Sequence, residues 1–366
     1  MEPLRVGIVG CGNISGIYLQ NLTSYRSTEV VAVADLDIDR AKATASKHSV
    51  GKALTTDGLL ADDEVELVLN LTIPKAHGTV ALAAVRAGKH VYNEKPLTVE
   101  PAHSRDLLEK AKQQGVRVGC APDTFMGAGI QTCRKLIDDG EIGEPVAANA
   151  FMLCRGHETW HPAPEFYYEQ GGGPMLDMGP YYVTALINLL GGVRRTSGSV
   201  RASFPERTIT SQPNSGKVVQ VQTPTHISGQ MDFVSGAIGH ITTSFDVYSS
   251  PLASITIYGS KGTIMVPDPN NFGGEVWLKQ AGDSEFRQVE HTHGLAQNGR
   301  GLGVLDMAFA IREGRDHRAS GELALHALDI MTSFERSSLE ERHVHLESAV
   351  QRPAALGRDE FAGETK

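Results

Sequence analysis

The amino-acid sequence predicts a two-domain α/β protein. An N-terminal doubly wound parallel sheet is followed by an α/β domain built on a large, mainly antiparallel, open-faced sheet. Three observations carry this. The first ~120 residues alternate short β-branched runs with helical patterns, as βαβ units do. Those runs are almost wholly apolar, which fits strands covered on both faces. From about Val146 the rhythm changes to longer strands in which apolar and polar residues alternate. A chain of 366 residues also exceeds what one hydrophobic core usually serves. The expected divisions are residues 1–124, 125–347 and a C-terminal tail of 348–366.

In order, "RVGIVG" (5–10), "EVVAVAD" (29–35), "VELVLNLT" (65–72), "KHVYNE" (89–94) and "VRVGCA" (116–121) read as buried strands. Residues 37–49, 74–88 and 99–115 between them have helical spacing, and the last two carry Pro near the start and Gly at the end. The second part holds a helix candidate at 180–192. In the strand 226–236, Ile227, Met231 and Phe233 share one face, and His226, Ser228, Gln230 and Asp232 share the other. Strands 237–248 and 254–266 follow, then helical patterns at 303–315 and 320–337. Residues 348–366, rich in Ala, Arg, Gly and Glu, read as loop.

Composition removes several classes of function. A formal charge of −9 disfavours a nucleic-acid partner, which would require a basic face. No run approaches the ~18 apolar residues of a membrane span. Four scattered cysteines, with no C-x-x-C pair, suit free thiols in a reducing cytoplasm. The His-x-His pairs at 291/293 and 343/345 lack the further ligands that a metal needs, so no metal site is expected.

The segment "GIVGCGNISG" places Gly10, Gly12 and Ser15 between a first strand and a helix, with Asp35 lying 23 positions beyond Gly12. Gly10 permits the turn, and Gly12 lets a pyrophosphate approach the helix N-terminus together with Asn13 and Ile14. Asp35 would accept hydrogen bonds from ribose hydroxyls and repel a 2′-phosphate, which favours NAD. Arg40, one turn on, leaves NADP open.

Two further stretches are "EKP" at 94–96, preceded by "IPKAH", and "GGGPMLDMGPYY" at 171–182. Together with the glycine loop they resemble the family of glucose–fructose oxidoreductase, inositol dehydrogenase and rhizopine-catabolism proteins, over about residues 4–335. The resemblance implies a Rossmann domain joined to an α/β domain with a large open sheet. It also places Lys95 near the nicotinamide and the substrate hydroxyl, with Thr72, His77 and Glu94 beside the cofactor. An ammonium there would stabilise developing alkoxide and relay a proton. Read alone, Glu94–Lys95 is a surface pair of little energetic weight.

The same resemblance makes Asp177 catalytic and puts Tyr181 where the family usually has histidine. Spacing of four puts both on one helix face. With Lys95, Tyr181 would form a Tyr–Lys relay; otherwise it packs or binds substrate. Because Pro180 is awkward inside a helix, Asp177 also reads as an N-cap. The aromatic loop "CRGHETWHPAPEFYYEQ" (154–170) offers His157, Trp160, His161 and Tyr167 as carbohydrate contacts. Asp123, after the strand at 116–121, is another candidate hydroxyl binder.

The expected protein is an NAD-dependent dehydrogenase acting on a secondary hydroxyl of a sugar, glycoside or cyclitol. It is expected to be a homodimer or homotetramer through the polar open sheet face. The same residues would serve an oxidoreductive glycosidase. The resembling families also include a yeast galactose-pathway repressor that binds dinucleotide without turnover, so a non-catalytic regulator is the rival.

Overall fold

The computed structural model describes residues 2–366, which divide into two compact units. The first takes the chain up to Met126 together with Gln297–Leu325 and Leu356–Lys366; the second takes Gly127–Ala296 and His326–Ala355. The expected single boundary near 124 is therefore incomplete, because the chain contributes to the first unit three times.

In the first unit, strands β1 (Leu4–Val9), β2 (Thr28–Ala34), β3 (Lys52–Leu54), β4 (Leu67–Asn70), β5 (His90–Asn93) and β6 (Val118–Cys120) form one sheet in the order β3-β2-β1-β4-β5-β6. Every pairing is parallel. Helices α1 (Ser15–Ser24), α2 (Ile38–His48), α3 (Thr56–Leu60), α4 (Pro74–Arg86) and α5 (Pro101–Gln114) connect the strands. Val9, Val68, Val91, Ala81, Val85 and Leu107 belong to the buried core, which is why these strands read as continuous apolar runs. β3 and α3 escaped the sequence reading. β3 is a three-residue edge strand, none of it fully buried, so it carries no apolar signature.

The second unit opens with α6 (Ala128–Asp138), β7 (Pro145–Leu153) and α7 (Gly173–Leu190). Strands β8 (Val193–Arg201), β9 (Glu206–Thr208), β10 (Val218–Gln220), β11 (His226–Phe233), β12 (Ile238–Ser244), β13 (Ile255–Gly259), β14 (Gly262–Val266), β15 (Val276–Gln280) and β16 (Arg287–Val289) follow. α8 (Leu302–Glu313) belongs to the first unit, and α9 (Gly321–Glu340) and β17 (Val344–His345) close the list of elements. The nine-stranded sheet runs β16-β15-β14-β13-β7-β12-β11-β8-β17, antiparallel except for the β7–β12 pair.

One helix differs from expectation. α7 begins at Gly173, with Gly172 as its N-cap, and passes through Pro180 instead of starting beside it. Pro180 cannot bond the carbonyl of Leu176, but burial of most of the helix holds the turn.

Helix α9 fits the sheet through a matched pair of glycines. Gly198 on β8 faces Gly229 on β11, and the buried ring of Phe334 fills the slot they leave. A Cβ at Gly229 would run into that ring. Gly229→Ala should therefore lower stability by about 1–3 kcal/mol, the usual range for overpacking. A urea midpoint unchanged from wild type would show that the ring can move aside. Next to this slot, Ser337 Oγ and Ser338 Oγ accept the N–H groups of Gly198 and Val200 at 3.0 and 3.2 Å.

The C-terminal residues 348–366 carry no helix or strand, as expected, but they are anchored. Leu356 and Phe361 are buried, Thr365 bridges to Tyr25, and Glu360 pairs with Arg315 and Arg318. Glu364 also accepts the Ser27 N–H at 3.1 Å, and composition alone did not signal these anchors. The four cysteines are unpaired, and burial pushes each thiol up from its ordinary range, so none is an activated nucleophile. Among the described residues no helix is long and apolar enough to cross a membrane.

Candidate active site

In the first unit the candidate residues gather at the C-terminal edge of the parallel sheet, where doubly wound folds bind ligands. Gly10 has φ +102, and a Cβ there would strike the backbone of Leu71, so only glycine fits this crossing. Gly12 faces open space. Ser15, the departure at the third position, is buried and donates its hydroxyl to the Gly12 carbonyl at 2.7 Å, bracing the loop from within. α1 has no side-chain N-cap and no acid in its first turn, and Gly12, Asn13 and Ile14 are exposed in front of it. Such a terminus favours an anion.

Asp35 is held in place by its neighbours. Its Oδ2 accepts the Cys11 N–H at 2.8 Å and its Oδ1 the Asp37 N–H at 2.9 Å, while Arg40 Nη1 lies 3.4 Å away. Two exposed apolar residues lie at nearby strand ends. Leu36 after β2 is 101% exposed and Ile73 after β4 is 67% exposed, and those strands lie on either side of β1.

The turn carrying Lys95 is braced from several directions, with side chains of neighbouring residues holding its backbone groups. Glu94 Oε2 accepts the Lys95 N–H at 2.8 Å, and Tyr18 donates its hydroxyl to Glu94 Oε1 at 2.9 Å. Burial and the Glu94 charge push the Tyr18 hydroxyl well above its ordinary range, so it stays a donor. Asn93 Nδ2 donates to the Leu97 carbonyl at 2.9 Å, and Asn70 Nδ2 donates to Asn93 Oδ1 at 3.0 Å. Thr72 in turn donates its hydroxyl to Asn70 Oδ1 at 2.7 Å. Both asparagines are fully buried. The Lys95–Pro96 peptide is cis.

His77, expected beside the cofactor, is turned inward. Its ring lies between the carbonyl oxygens of Pro96 (2.6 Å) and Thr72 (2.9 Å), and burial holds its pKa below the ordinary histidine value. It braces the Lys95 turn from behind.

Asp123, expected as a hydroxyl binder, is turned inward as well. It is 1% exposed and its Oδ2 accepts the N–H groups of Gly301 and Gly303 at 2.8 and 3.0 Å, capping α8. Its Oδ2 is thus committed to the backbone, and the side chain is turned away from solvent. Burial pushes its pKa up to about 6 from an ordinary 3.8, against the two N–H bonds. A raised carboxyl pKa gives stability that is fully present below the unfolded value and is lost as pH rises through about 6. Relative to wild type, Asp123→Asn should therefore gain stability between pH 4.5 and pH 8, by up to about 3 kcal/mol. Parallel urea titrations of the two proteins check this, and a pH-independent difference would remove Asp123 from the account.

In the second unit the loop after β7 brings an imidazole to the α7 carboxylate. His157 Nε2 lies 3.2 Å from Asp177 Oδ2. Asp177 sits one turn inside α7, whose N-cap is Gly172, so it is not the cap. The His157 ring packs edge-on against Tyr167, Phe245 and Trp160 at 4.3, 4.6 and 5.1 Å between centroids. His161 adjoins Trp160 and Tyr167 at 5.3 and 5.4 Å. Trp160 remains 60% exposed, a large aromatic face open to solvent. The four expected substrate residues thus form one cluster with Asp177, while Tyr181, on the same helix face, is buried.

A buried ion network that the sequence did not reveal holds this loop. Arg207 on β9 pairs with Glu158 at 3.0 Å and with Asp246, and it donates to the Phe245 carbonyl at 3.2 Å. Tyr168 donates its hydroxyl to Glu158. The histidine pairs outside the cluster do other work: His291, for example, bonds the Gly274 carbonyl at 2.7 Å.

Residues 4–121 match the family model described as an oxidoreductase family with an NAD-binding Rossmann fold. Residues 130–265 match the GFO/IDH/MocA C-terminal domain. The chain belongs to the GFO/IDH/MocA family. The first match starts with β1 and ends one residue beyond β6. Among GFO/IDH/MocA relatives, the chain is 31% identical over 181 residues to 1,5-anhydro-D-fructose reductase of Ensifer adhaerens, covering 48% of this chain and 53% of that one. It is 26% identical over 262 residues to myo-inositol 2-dehydrogenase of Thermotoga maritima, covering 71% and 74%. The match therefore spans only about half the length of the first relative. In fold the chain is similar to levoglucosan dehydrogenase in complex with NADH and levoglucosan, with a TM-score of 0.82 at 18% identity, covering 95% of this chain and 100% of that one.

Proposed function

We propose that the protein is an NAD-dependent oxidoreductase that moves a hydride between a secondary hydroxyl of a sugar, glycoside or cyclitol and the nicotinamide. The observation that carries this is the Lys95 turn, fixed by Glu94, Asn93 and His77 on the same sheet edge as the glycine loop and Asp35. The residues present fit a dinucleotide. Open space at Gly12 and the uncapped α1 would hold the pyrophosphate, and Asp35 the ribose. Leu36 and Ile73 would supply apolar edges for the base.

When bound, the nicotinamide supplies hydride acceptance. The chain's own residues do the rest. The Lys95 ammonium would stabilise charge on the hydroxyl oxygen and, with Asp177 and Tyr181, handle the hydroxyl proton. Trp160, His161 and Tyr167 give a pyranose C–H face aromatic surface and its hydroxyls polar partners, while the His157 ring packs behind them against Asp177. The anhydrofructose reductase and inositol dehydrogenase names of the relatives support this substrate class.

The test is a screen of sugars, glycosides and inositols with NAD and with NADP, reading reduced cofactor and released aglycone together. Accumulation of NADH with one substrate supports the reading. Aglycone release with only catalytic NAD would replace it with an oxidoreductive glycosidase. Tight NAD binding without turnover would replace it with a regulator, and a clear NADP preference would refute the role given to Asp35.

The protein would act as a homodimer or homotetramer through the open sheet face. There Ile238 and Tyr258 lie on either side of Ala147, and Ser228, His240 and Thr242 form a hydrogen-bonded polar group. A monomer by light scattering at micromolar concentration would overturn this. The four unpaired thiols suit a cytoplasmic setting.

A further inference from the structure

We propose that His157 is a positioning residue for Asp177, an imidazole locked with its proton on Nε2 that holds the carboxylate as an acceptor in one orientation. Its kinetic consequence rests on the reading of Asp177 given above; the locked tautomer does not.

The two ring nitrogens have unequal surroundings. Nε2 faces Asp177 Oδ2 at 3.2 Å. Nδ1 is buried with no hydrogen-bond partner among the described residues. A proton on Nδ1 would be a buried donor without an acceptor, next to a carboxylate facing a bare nitrogen. A proton on Nε2 gives the carboxylate a donor and leaves only a weakly demanding lone pair inside. His157 is 9% exposed and edged by Tyr167, Phe245 and Trp160, so the ring has little room to exchange its nitrogens.

The backbone is fixed as well. The His157 N–H reaches the Tyr168 hydroxyl at 3.4 Å. Gly156 before it has φ +96, and a Cβ there would run into Glu158 and Tyr168. The chain thus runs from the Arg207 network through Gly156 to an imidazole set against Asp177. The carboxylate it holds is then an oriented acceptor for a hydroxyl proton and not a side chain that must find its rotamer in each turnover.

The direct test is ¹⁵N NMR of the resting protein with ring-labelled histidine, assigned with His157→Gln. The expected spectrum shows Nε2 protonated and Nδ1 bare, and Asp177→Ala loses that preference. An Nδ1-protonated or averaged ring in the wild-type protein overturns the proposal. In kinetics, His157→Ala should lower kcat about 10- to 100-fold, the weight of one hydrogen bond to a charged group, with KM within about threefold. His157→Gln, whose amide reaches the same point, should recover most of that loss. Equal loss in both variants, or loss confined to KM, counts against it. If the wild-type protein turns over no hydroxyl substrate, the oxidoreductase reading falls and the NMR result still stands. Turnover with an averaged tautomer fails this proposal alone.

Discussion

Replacement of Arg207 by leucine is expected to destabilise the protein by about 3–5 kcal/mol, the range for removing one partner of a buried ion pair. The guanidinium side chain is 2% exposed and sits against two carboxylates, Glu158 and Asp246, each of which is itself buried. It also lies over the rings of Tyr168 and Phe204, at 5.5 and 5.1 Å from their centroids. Leucine would fill part of the volume and leave two buried carboxylates with only the more exposed Arg155, 3.9 Å from Glu158, beside them. The comparison that isolates charge from packing is the triple variant Arg207→Leu, Glu158→Gln, Asp246→Asn. It should recover much of the loss, because neutral amides carry a far smaller burial cost. A second readout is local. Glu158 accepts the N–H groups of Thr210 and Ser211 through its backbone carbonyl, so loosening it should open residues 154–170 to protease. An Arg207→Leu protein with wild-type urea midpoint and wild-type protease resistance would show that the network contributes nothing.

What the sequence disclosed and what it hid follow from how local each signal is. The parallel sheet was legible because burial on both faces leaves an unbroken apolar run, as in β4, where all four residues are buried. The glycine loop was legible because one position tolerates only glycine, Gly10, wedged against Leu71. The Lys95 turn was found through a tripeptide and a family resemblance, but its supports were not. Asn70 and Asn93 end neighbouring strands and pair with each other across the sheet, and two buried amides at matching strand ends were the available signal. Arg207 lies 49 residues from Glu158 and 39 from Asp246, so no window could pair them. Asp123 was misread because strand-end position alone does not say which way a carboxylate turns; two N–H groups from residues 301 and 303 turned it inward. Pro180 was misread because propensity marks a helix start where burial carries α7 straight through.

Lys95→Met should lower kcat by about a thousandfold, the combined reach of proton transfer and charge stabilisation at one group, while leaving stability and NAD affinity near wild type. The two halves of this expectation have separate grounds. Loss of rate follows from removing the only group in the proposed set that carries positive charge to the hydroxyl oxygen. Methionine keeps the length and apolar stem and removes only the ammonium. Arginine should not substitute, because its guanidinium does not release a proton in this pH range and its planar fork needs more room than a point charge. Preservation of the fold follows from the bracing contacts described above. Glu94 takes the Lys95 backbone N–H, Asn93 the Leu97 carbonyl, and His77 the Pro96 carbonyl, and none of these uses the Lys95 side chain. Asn93→Leu therefore gives the opposite pattern. It leaves Lys95 in place but takes a partner from Asn70 and from the Leu97 carbonyl, so stability falls by about 1–3 kcal/mol and the rate falls through misplacement of an intact ammonium. Thermal melts, NAD titration and steady-state kinetics on the two variants separate the cases. If Lys95→Met keeps a tenth or more of wild-type kcat with a normal melt, the ammonium is not the group that meets the hydroxyl, and the bracing of its turn serves the fold alone.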